Sequence, residues 1–117
     1  MPIRTAIATT DGKVINEHFG RAEAFYIVDI DETEAPVVEK RAVTHLCGGG
    51  DHDEDVLQKT IERLLDCRVI LVAKIGPGAR RALEAAGLSV FEIGLPIPEA
   101  IEKTRGYYFR HKGGANG

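Results

Sequence analysis

The stretch Val69-Ile70-Leu71-Val72 is a run of four apolar residues without polar alternation. Such a run is typical of a strand that is covered on both faces, as the parallel strands of α/β proteins are. The sequence Ile75-Gly76-Pro77-Gly78 then predicts a turn into a helix, and Gly87 is placed to end that helix. Residues 88–93 predict a second strand, so this part of the chain has the order strand, helix, strand.

Two further helices flank this unit. A helix ending near residue 66 precedes the apolar run, and Pro96 and Pro98 predict the start of another helix that reaches about residue 104. Apolar residues recur in all three helices at the spacing of one helix face. The predicted inward residues are Leu57, Ile61, Leu64 and Leu65 in the first helix, Ala79, Ala82, Leu83 and Ala86 in the second, and Ile97 and Ile101 in the third.

The N-terminal third of the chain predicts three strands, at residues 3–9, 24–30 and 37–44, joined as an antiparallel meander. After the turn-forming dipeptide Asp11-Gly12, we expect Val14 and Ile15 to pair back briefly. Residues 18–22 contain a glycine and predict an irregular loop.

The complete order predicts an α/β fold whose mixed five-stranded sheet, an antiparallel meander followed by parallel strands, carries about three helices on its faces. Residues 1–105 form one predicted domain, and residues 106–117 form a tail that we expect to be partly disordered. In sheets of this kind, ligands collect at the carboxyl ends of the parallel strands.

Composition excludes several classes of protein. The 117 residues carry a net charge of -3, and no basic run is longer than the pair Arg80-Arg81, which argues against nucleic-acid binding. We find no signal-peptide pattern and no apolar run of the roughly 20 residues needed to cross a membrane. Two cysteines are too few for a disulfide framework. We therefore expect a cytoplasmic protein with reduced thiols.

The segment His45-Leu46-Cys47-Gly48-Gly49-Gly50-Asp51-His52 is the densest group of possible metal ligands. A Cys47 thiolate is a soft ligand suited to iron-sulfur clusters, zinc or copper(I), and His45 and His52 flank it. Another interpretation remains open, in which Cys47 is a small apolar residue and the acids after it begin a helix, with Asp51 as the N-cap.

A second group of candidates lies elsewhere in the chain. His18 is a possible ligand or an exposed turn histidine, and Arg21 beside it would pair with an anionic ligand or with a protein carboxylate. Lys74 precedes Gly76 and Gly78 at a helix start, where free N–H groups favour anions. A tight strand-to-helix turn is the alternative for these glycines.

The remaining cysteine and the acidic and hydroxyl side chains do not indicate a reactive site. Cys67 directly precedes the buried strand region and is interpreted as a structural thiol. No set of Ser, His and Asp residues stands out as a triad, and no acid lies in an obviously apolar setting.

The segment from Asp11 to Ala22, with its core Glu17-His18-Phe19-Gly20-Arg21, resembles the His-Phe-Gly segment of NifX/NafY-type dinitrogenase iron-molybdenum cofactor biosynthesis proteins. The Cys47-Gly48 loop, Asp66-Cys67 and Lys74-Ile75-Gly76 are similar to the NifX-like domain at the C-terminus of NifB proteins. This resemblance covers roughly residues 3–104. It implies a three-layer, ribonuclease-H-like α/β fold.

The resemblance also implies a function. It implies a non-enzymatic carrier of an iron-sulfur or iron-molybdenum cofactor, or of a precursor, which serves cofactor-assembly or nitrogenase proteins. The family's candidate ligands match His18 and Cys47, whereas His45 and His52 are further metal candidates from the sequence alone. Positive charge on Arg21 and Lys74, with the N–H groups from Gly76 to Ala79, would complement the cluster.

Two alternatives stay open. One is a mononuclear metal-binding module that uses His45, Cys47 and His52. The other is a regulatory domain that binds a phosphorylated small molecule or nucleotide between Gly76 and Ala79.

Overall fold

The structure is a computed structural model that describes residues 2–43 and 53–110, without the side chains of residues 53–56 and 110. Within these ranges, five strands form one mixed sheet in the order β3-β2-β1-β4-β5, which confirms the predicted architecture. The strands are β1 (Ile3–Ala8), β2 (Ala24–Ile30), β3 (Val37–Ala42), β4 (Val69–Val72) and β5 (Ser89–Glu92). The α-helices of the same ranges are α1 (Asp53–Glu62), α2 (Pro77–Ala85) and α3 (Ile97–Arg105).

Strand β4 lies at the centre of the parallel part of the sheet. It pairs in parallel with β1 on one side and with β5 on the other. All four of its residues are buried, as the unbroken apolar run predicted. Strands β1, β2 and β3 form the antiparallel meander that the sequence predicted.

The sheet separates two apolar clusters, which gives a three-layer arrangement. On one face, Phe25 and Ile70 pack in a cluster that includes Leu83 of α2 and residues of α1. On the other face, Ile7 and Leu71 pack in a cluster that includes Ala100 of α3. Burying each large side chain of this kind stabilises the fold by about 1.5–3 kcal/mol. The prediction of helices on both faces is therefore confirmed.

Helix α1 is shorter than predicted, ending at Glu62 instead of near residue 66. The following backbone tightens, because the Leu64 N–H donates to the Ile61 carbonyl at 2.9 Å and the Cys67 N–H donates to the Leu64 carbonyl at 2.9 Å. These shorter turns break the 3.6-residue period. Ile61 and Leu64 are buried, whereas Leu65 is 56% exposed, so its predicted inward position was wrong.

Helix α2 also differs from its predicted face at one position. Ala79, Ala82 and Leu83 pack in the first cluster, but Ala86 is exposed. Ala86 is the C-cap, and Gly87 follows it with a φ of 100°, so the chain has already turned away from the sheet. The predicted role of glycine at this helix end is confirmed.

Helix α3 confirms the inward positions of Ile97 and Ile101, which pack against the second cluster. The helix continues into a π-helical segment, Gly106–Arg110. Tyr108 and Phe109 of this segment also pack against the second cluster. The first part of the tail is therefore ordered against the core, and residues 111–117 lie outside the described ranges.

The loop after β1 does not pair back on β1, so the expectation for Val14 and Ile15 was wrong. The Ile15 N–H donates to the Leu95 carbonyl at 3.0 Å, and Val14 forms a bridge with Pro96. Asp11 explains the change of direction, since its side chain accepts the Lys13 N–H at 2.8 Å and closes a compact turn. The loop thereby pairs with the segment between β5 and α3. None of the helices in the described ranges is long and apolar enough to span a membrane.

Candidate functional site

The loop that follows β1 returns to the end of β4. The Ala73 N–H donates to the Glu17 carbonyl at 3.0 Å, and the Phe19 N–H donates to the Lys74 carbonyl at 2.8 Å. His18 and Lys74 therefore form an isolated parallel bridge. We call His18, Arg21, Lys74, Gly76 and Gly78 the β1/β4 edge, because they follow the carboxyl ends of these two strands.

His18 is presented by its neighbours in the sequence. Its backbone is extended, with φ -76° and ψ 143°, which allows it to continue the sheet beside Lys74. Phe19 is 2% exposed and packs against Phe25, with ring centroids 5.9 Å apart. A 3-10 helix, Phe19–Arg21, follows, so the predicted irregular loop contains one regular turn. Phe19 anchors the segment, and the side chains of His18 and Arg21 are left exposed.

The start of α2 supplies backbone donors next to Lys74. Gly76 is the N-cap and Pro77 occupies the first turn, with no side chain capping this end. The N–H groups of Gly78 and Ala79 precede the first intrahelical bond, which the Arg80 N–H makes to the Gly76 carbonyl at 3.0 Å. Such groups, together with the helix dipole, favour an anion.

The space above Gly76 and Gly78 is open. A Cβ atom added at either position would meet nothing within 4 Å, and neither residue has a positive φ. Packing and backbone conformation therefore do not require glycine at these positions. A ligand that approaches the backbone closely is a remaining reason for small residues here.

Glu92 and Arg80 fix the turn before α2, and the sequence did not single them out. The Glu92 carboxylate accepts the Ile75 N–H at 3.0 Å and a guanidinium N–H of Arg80 at 3.2 Å. These contacts, the Ile75 N–H foremost, lower the pKa of Glu92. The rule that functional groups gather at the carboxyl ends of parallel strands could have found Glu92, which ends β5.

In the described part of the chain, no close ion pair engages the cationic side chains of the β1/β4 edge, although the charge of Lys74 helps to lower the pKa of Glu92. Within residues 2–43 and 53–110, no ion pair joins His18, Arg21 or Lys74 to a carboxylate. The edge can therefore offer an imidazole nitrogen, two cationic side chains and free N–H groups to an incoming anion. A soft or borderline metal within such an anion would accept the imidazole as a ligand.

The remaining predicted ligands do not fall in the described ranges. Cys47, His45 and His52 all lie within residues 44–52, as does the proposed N-cap Asp51. Among the residues that the structure describes, no group of three or more His, Cys, Asp or Glu side chains could hold a metal ion. His18 alone therefore does not make a complete metal site there.

Cys67 agrees with its structural interpretation. It is 4% exposed, and burial raises the pKa of its thiol to about 12. The nearby Asp66 carboxylate acts in the same direction. A thiol that resists ionisation is a poor metal ligand, because the thiolate is the form that binds.

Comparisons with known proteins give a consistent result. A family model described as dinitrogenase iron-molybdenum cofactor matches residues 1–106. The FeMo cofactor biosynthesis protein NifB of Frankia alni is 42% identical over 102 residues, which cover 85% of this chain and 20% of that protein. The protein of the same name from Bradyrhizobium diazoefficiens is 33% identical over 112 residues, covering 92% of this chain and 21% of that protein. The chain thus spans about a fifth of the length of these relatives.

A solved structure supports the fold. The crystal structure of PH0822 superposes with a TM-score of 0.67, covering 89% of this chain and 90% of that one. The two sequences are 24% identical, so this likeness concerns the fold alone.

Proposed function

The chain belongs to the dinitrogenase iron-molybdenum cofactor family, and from this premise we propose that it binds and carries an iron-sulfur or iron-molybdenum cofactor, or a precursor. The proposed partners are cofactor-assembly or nitrogenase proteins, which would deliver the cluster or receive it. The relatives that share this region are named for FeMo cofactor biosynthesis.

The bridge between His18 and Lys74 is the observation that carries the proposal. It brings together a nitrogen ligand and a cation from two distant parts of the sequence, at the carboxyl ends of β1 and β4, where both side chains are exposed. A sulfide-bridged metal cluster that carries thiolates or other anionic terminal ligands has a net negative charge. An imidazole would bind one of its metals while Lys74 and the start of α2 neutralise that charge. Arg21 adds a further cation one turn after His18.

A carrier must also release its cargo. His18 and Lys74 are both exposed, so a bound cluster would remain accessible to a receiving protein. Cys47 is the thiolate ligand that we propose from the sequence, and His45 and His52 are secondary candidates. A site with few protein ligands favours transfer over permanent retention.

We propose that the chain binds its cargo without catalysing a reaction, as the family resemblance implies. General acid–base catalysis needs a titratable group whose pKa suits the reaction. Among the described residues, the buried titratable side chain is the Cys67 thiol, whose pKa is raised to about 12, so it does not suit that role.

The test is anaerobic reconstitution with iron and sulfide, followed by measurement of bound iron, acid-labile sulfide, absorption and EPR spectra. We expect His18→Ala and Cys47→Ala to lose most of the iron that the wild type binds. His111→Ala and Cys67→Ala are matched controls, since they remove the same side chains elsewhere and should retain binding. Circular dichroism melting of each variant separates loss of the site from loss of the fold.

Equal iron uptake by wild type, His18→Ala and Cys47→Ala would overturn the assignment of these ligands. One equivalent of zinc without acid-labile sulfide in the purified protein would favour a mononuclear site. A thermal shift with nucleotides, abolished by Gly78→Ala, would favour the phosphate-binding alternative.

A further inference from the structure

A cavity of about 480 Å³ lies at β5, the outer strand of the sheet, and residues from both faces line it. Leu71, Phe91 and Ile93 line it from the sheet, and Thr104 and Tyr107 line it from the helical side. Its volume falls in the range of roughly 300–1,000 Å³ that small-molecule sites occupy. None of the residues of the β1/β4 edge lines it, although Arg80 and Glu92, which fix the turn before α2, do.

Aromatic rings form one wall of this cavity. The rings of Phe91 and Tyr107 meet edge to face, with centroids 5.6 Å apart and an interplanar angle of 68°. Tyr107 is 53% exposed, so much of its surface is open to solvent. An apolar or aromatic body placed here would cover Tyr107 and gain the free energy of apolar burial.

The charged side chains of the cavity carry an excess of positive charge. Glu92 is engaged by Arg80 at 3.2 Å and by the Ile75 N–H at 3.0 Å, and Arg80 also donates to the Val90 carbonyl at 3.2 Å. Lys103 is exposed and has no carboxylate partner within the described residues. The lining therefore holds two cations against one carboxylate, and Lys103 is the cation left for a ligand.

We propose that this cavity is a binding site for a small organic anion with an apolar or aromatic body. The body packs against Phe91 and Tyr107, and the carboxylate or phosphate group pairs with Lys103. Neither contact involves His18 or Lys74, so the site does not depend on a metal cargo.

The experiment is a titration of the 15N-labelled protein followed by two-dimensional NMR with three probes. Benzoate supplies a ring and a charge, benzyl alcohol supplies the ring alone, and acetate supplies the charge alone. We expect saturable shifts with benzoate at the amides of Phe91, Ile93, Thr104 and Tyr107. Benzyl alcohol and acetate should each bind at least about tenfold more weakly, which corresponds to about 1.4 kcal/mol.

Two variants test the contacts. Lys103→Gln should weaken benzoate binding about five- to tenfold, whereas Lys59→Gln makes the same change of charge on exposed α1 and should leave it unaltered. Tyr107→Ala should weaken benzoate and benzyl alcohol alike. Absence of saturable shifts with benzoate, equal binding of all three probes, or equal effects of the two lysine substitutions would overturn the proposal.

Discussion

Two charged regions of this molecule differ in whether their side chains form ion pairs. On the face of the sheet that α1 covers, Arg4, Asp29, Arg41 and Asp66 form a network in which each group has a partner. Arg4 pairs with Asp29 at 2.9 Å and with Asp66 at 3.1 Å, and Arg41 pairs with Asp66 at 2.7 Å. At the β1/β4 edge, by contrast, His18, Arg21 and Lys74 have no such partner within the described ranges.

The difference separates charges that hold the fold from charges that are free to bind. Asp66 follows α1 and is bonded to side chains of β1 and β3, so the network fastens the end of α1 to the sheet. The cations of the β1/β4 edge are exposed and hold no elements together through ion pairs. Changes in the network should therefore alter stability, and changes at the edge should alter binding.

The largest expected effect concerns Cys67, whose thiol lies 3.7 Å from the Asp66 carboxylate at the margin of the network. Burial raises its pKa to about 12. At pH 8 this lowers the thiolate fraction about 1,000-fold relative to an ordinary cysteine. In a Cys47→Ala background, alkylation by iodoacetamide should therefore be far slower in the native protein than in guanidinium chloride. Native and unfolded rates within tenfold of each other would contradict this.

The next largest effect is expected from Asp66→Asn, which removes the charge shared by Arg4 and Arg41. Because Arg41 is largely buried and Asp66 is partly exposed, we expect a loss of about 1–2 kcal/mol in the free energy of unfolding. Urea denaturation measures this loss. Glu62→Gln is the matched control, since it neutralises an exposed acid at the end of α1 and should change stability by less than about 0.5 kcal/mol. Equal stability of the two variants would show that the network does not hold α1.

The same network predicts a dependence of stability on pH. Hydrogen bonds from Arg41, and then from Arg4, lower the pKa of Asp66 to about 2, below its value of about 3.9 in an unfolded chain. Its contribution is therefore fully present above about pH 4 and is lost as the pH falls through 2. The difference in stability between wild type and Asp66→Asn should shrink over this interval in urea titrations. A difference that stays constant from pH 7 to pH 2 would exclude Asp66 as its source.

The elements of this fold were predictable where the pattern is local. The apolar run of β4 is buried at all four positions, and the largely apolar β2 is buried at four of its seven positions. Prediction failed where a helix end departs from its period, as at Leu65 and Ala86. Leu65 is exposed because short turns end α1, and Ala86 is exposed because the chain turns at Gly87. The apolar pattern of the sequence does not reveal these changes in backbone direction.

The candidate site was predictable only in part, because its contacts are non-local. His18 and Lys74 were separate candidates in the sequence, and the bridge between them depends on how the loop after β1 returns to β4. Glu92 was missed because its role depends on reaching the Ile75 N–H from another strand. Cys47, His45 and His52 lie outside the described ranges, so their part in the site remains a prediction.

The smallest expected change in stability, of opposite sign, comes from Gly78→Ala at the β1/β4 edge. Gly78 lies in α2, and a Cβ atom there meets nothing within 4 Å, so alanine should stabilise the helix by up to about 1 kcal/mol. If a cluster approaches the backbone at this point, the added methyl group should obstruct it. Iron uptake should then fall although the free energy of unfolding rises. Gly87→Ala is the control, because its φ of 100° makes alanine destabilising at a position far from any proposed ligand. Unchanged iron uptake by Gly78→Ala would remove the start of α2 from the site and leave His18, Arg21 and Lys74 as its remaining described members.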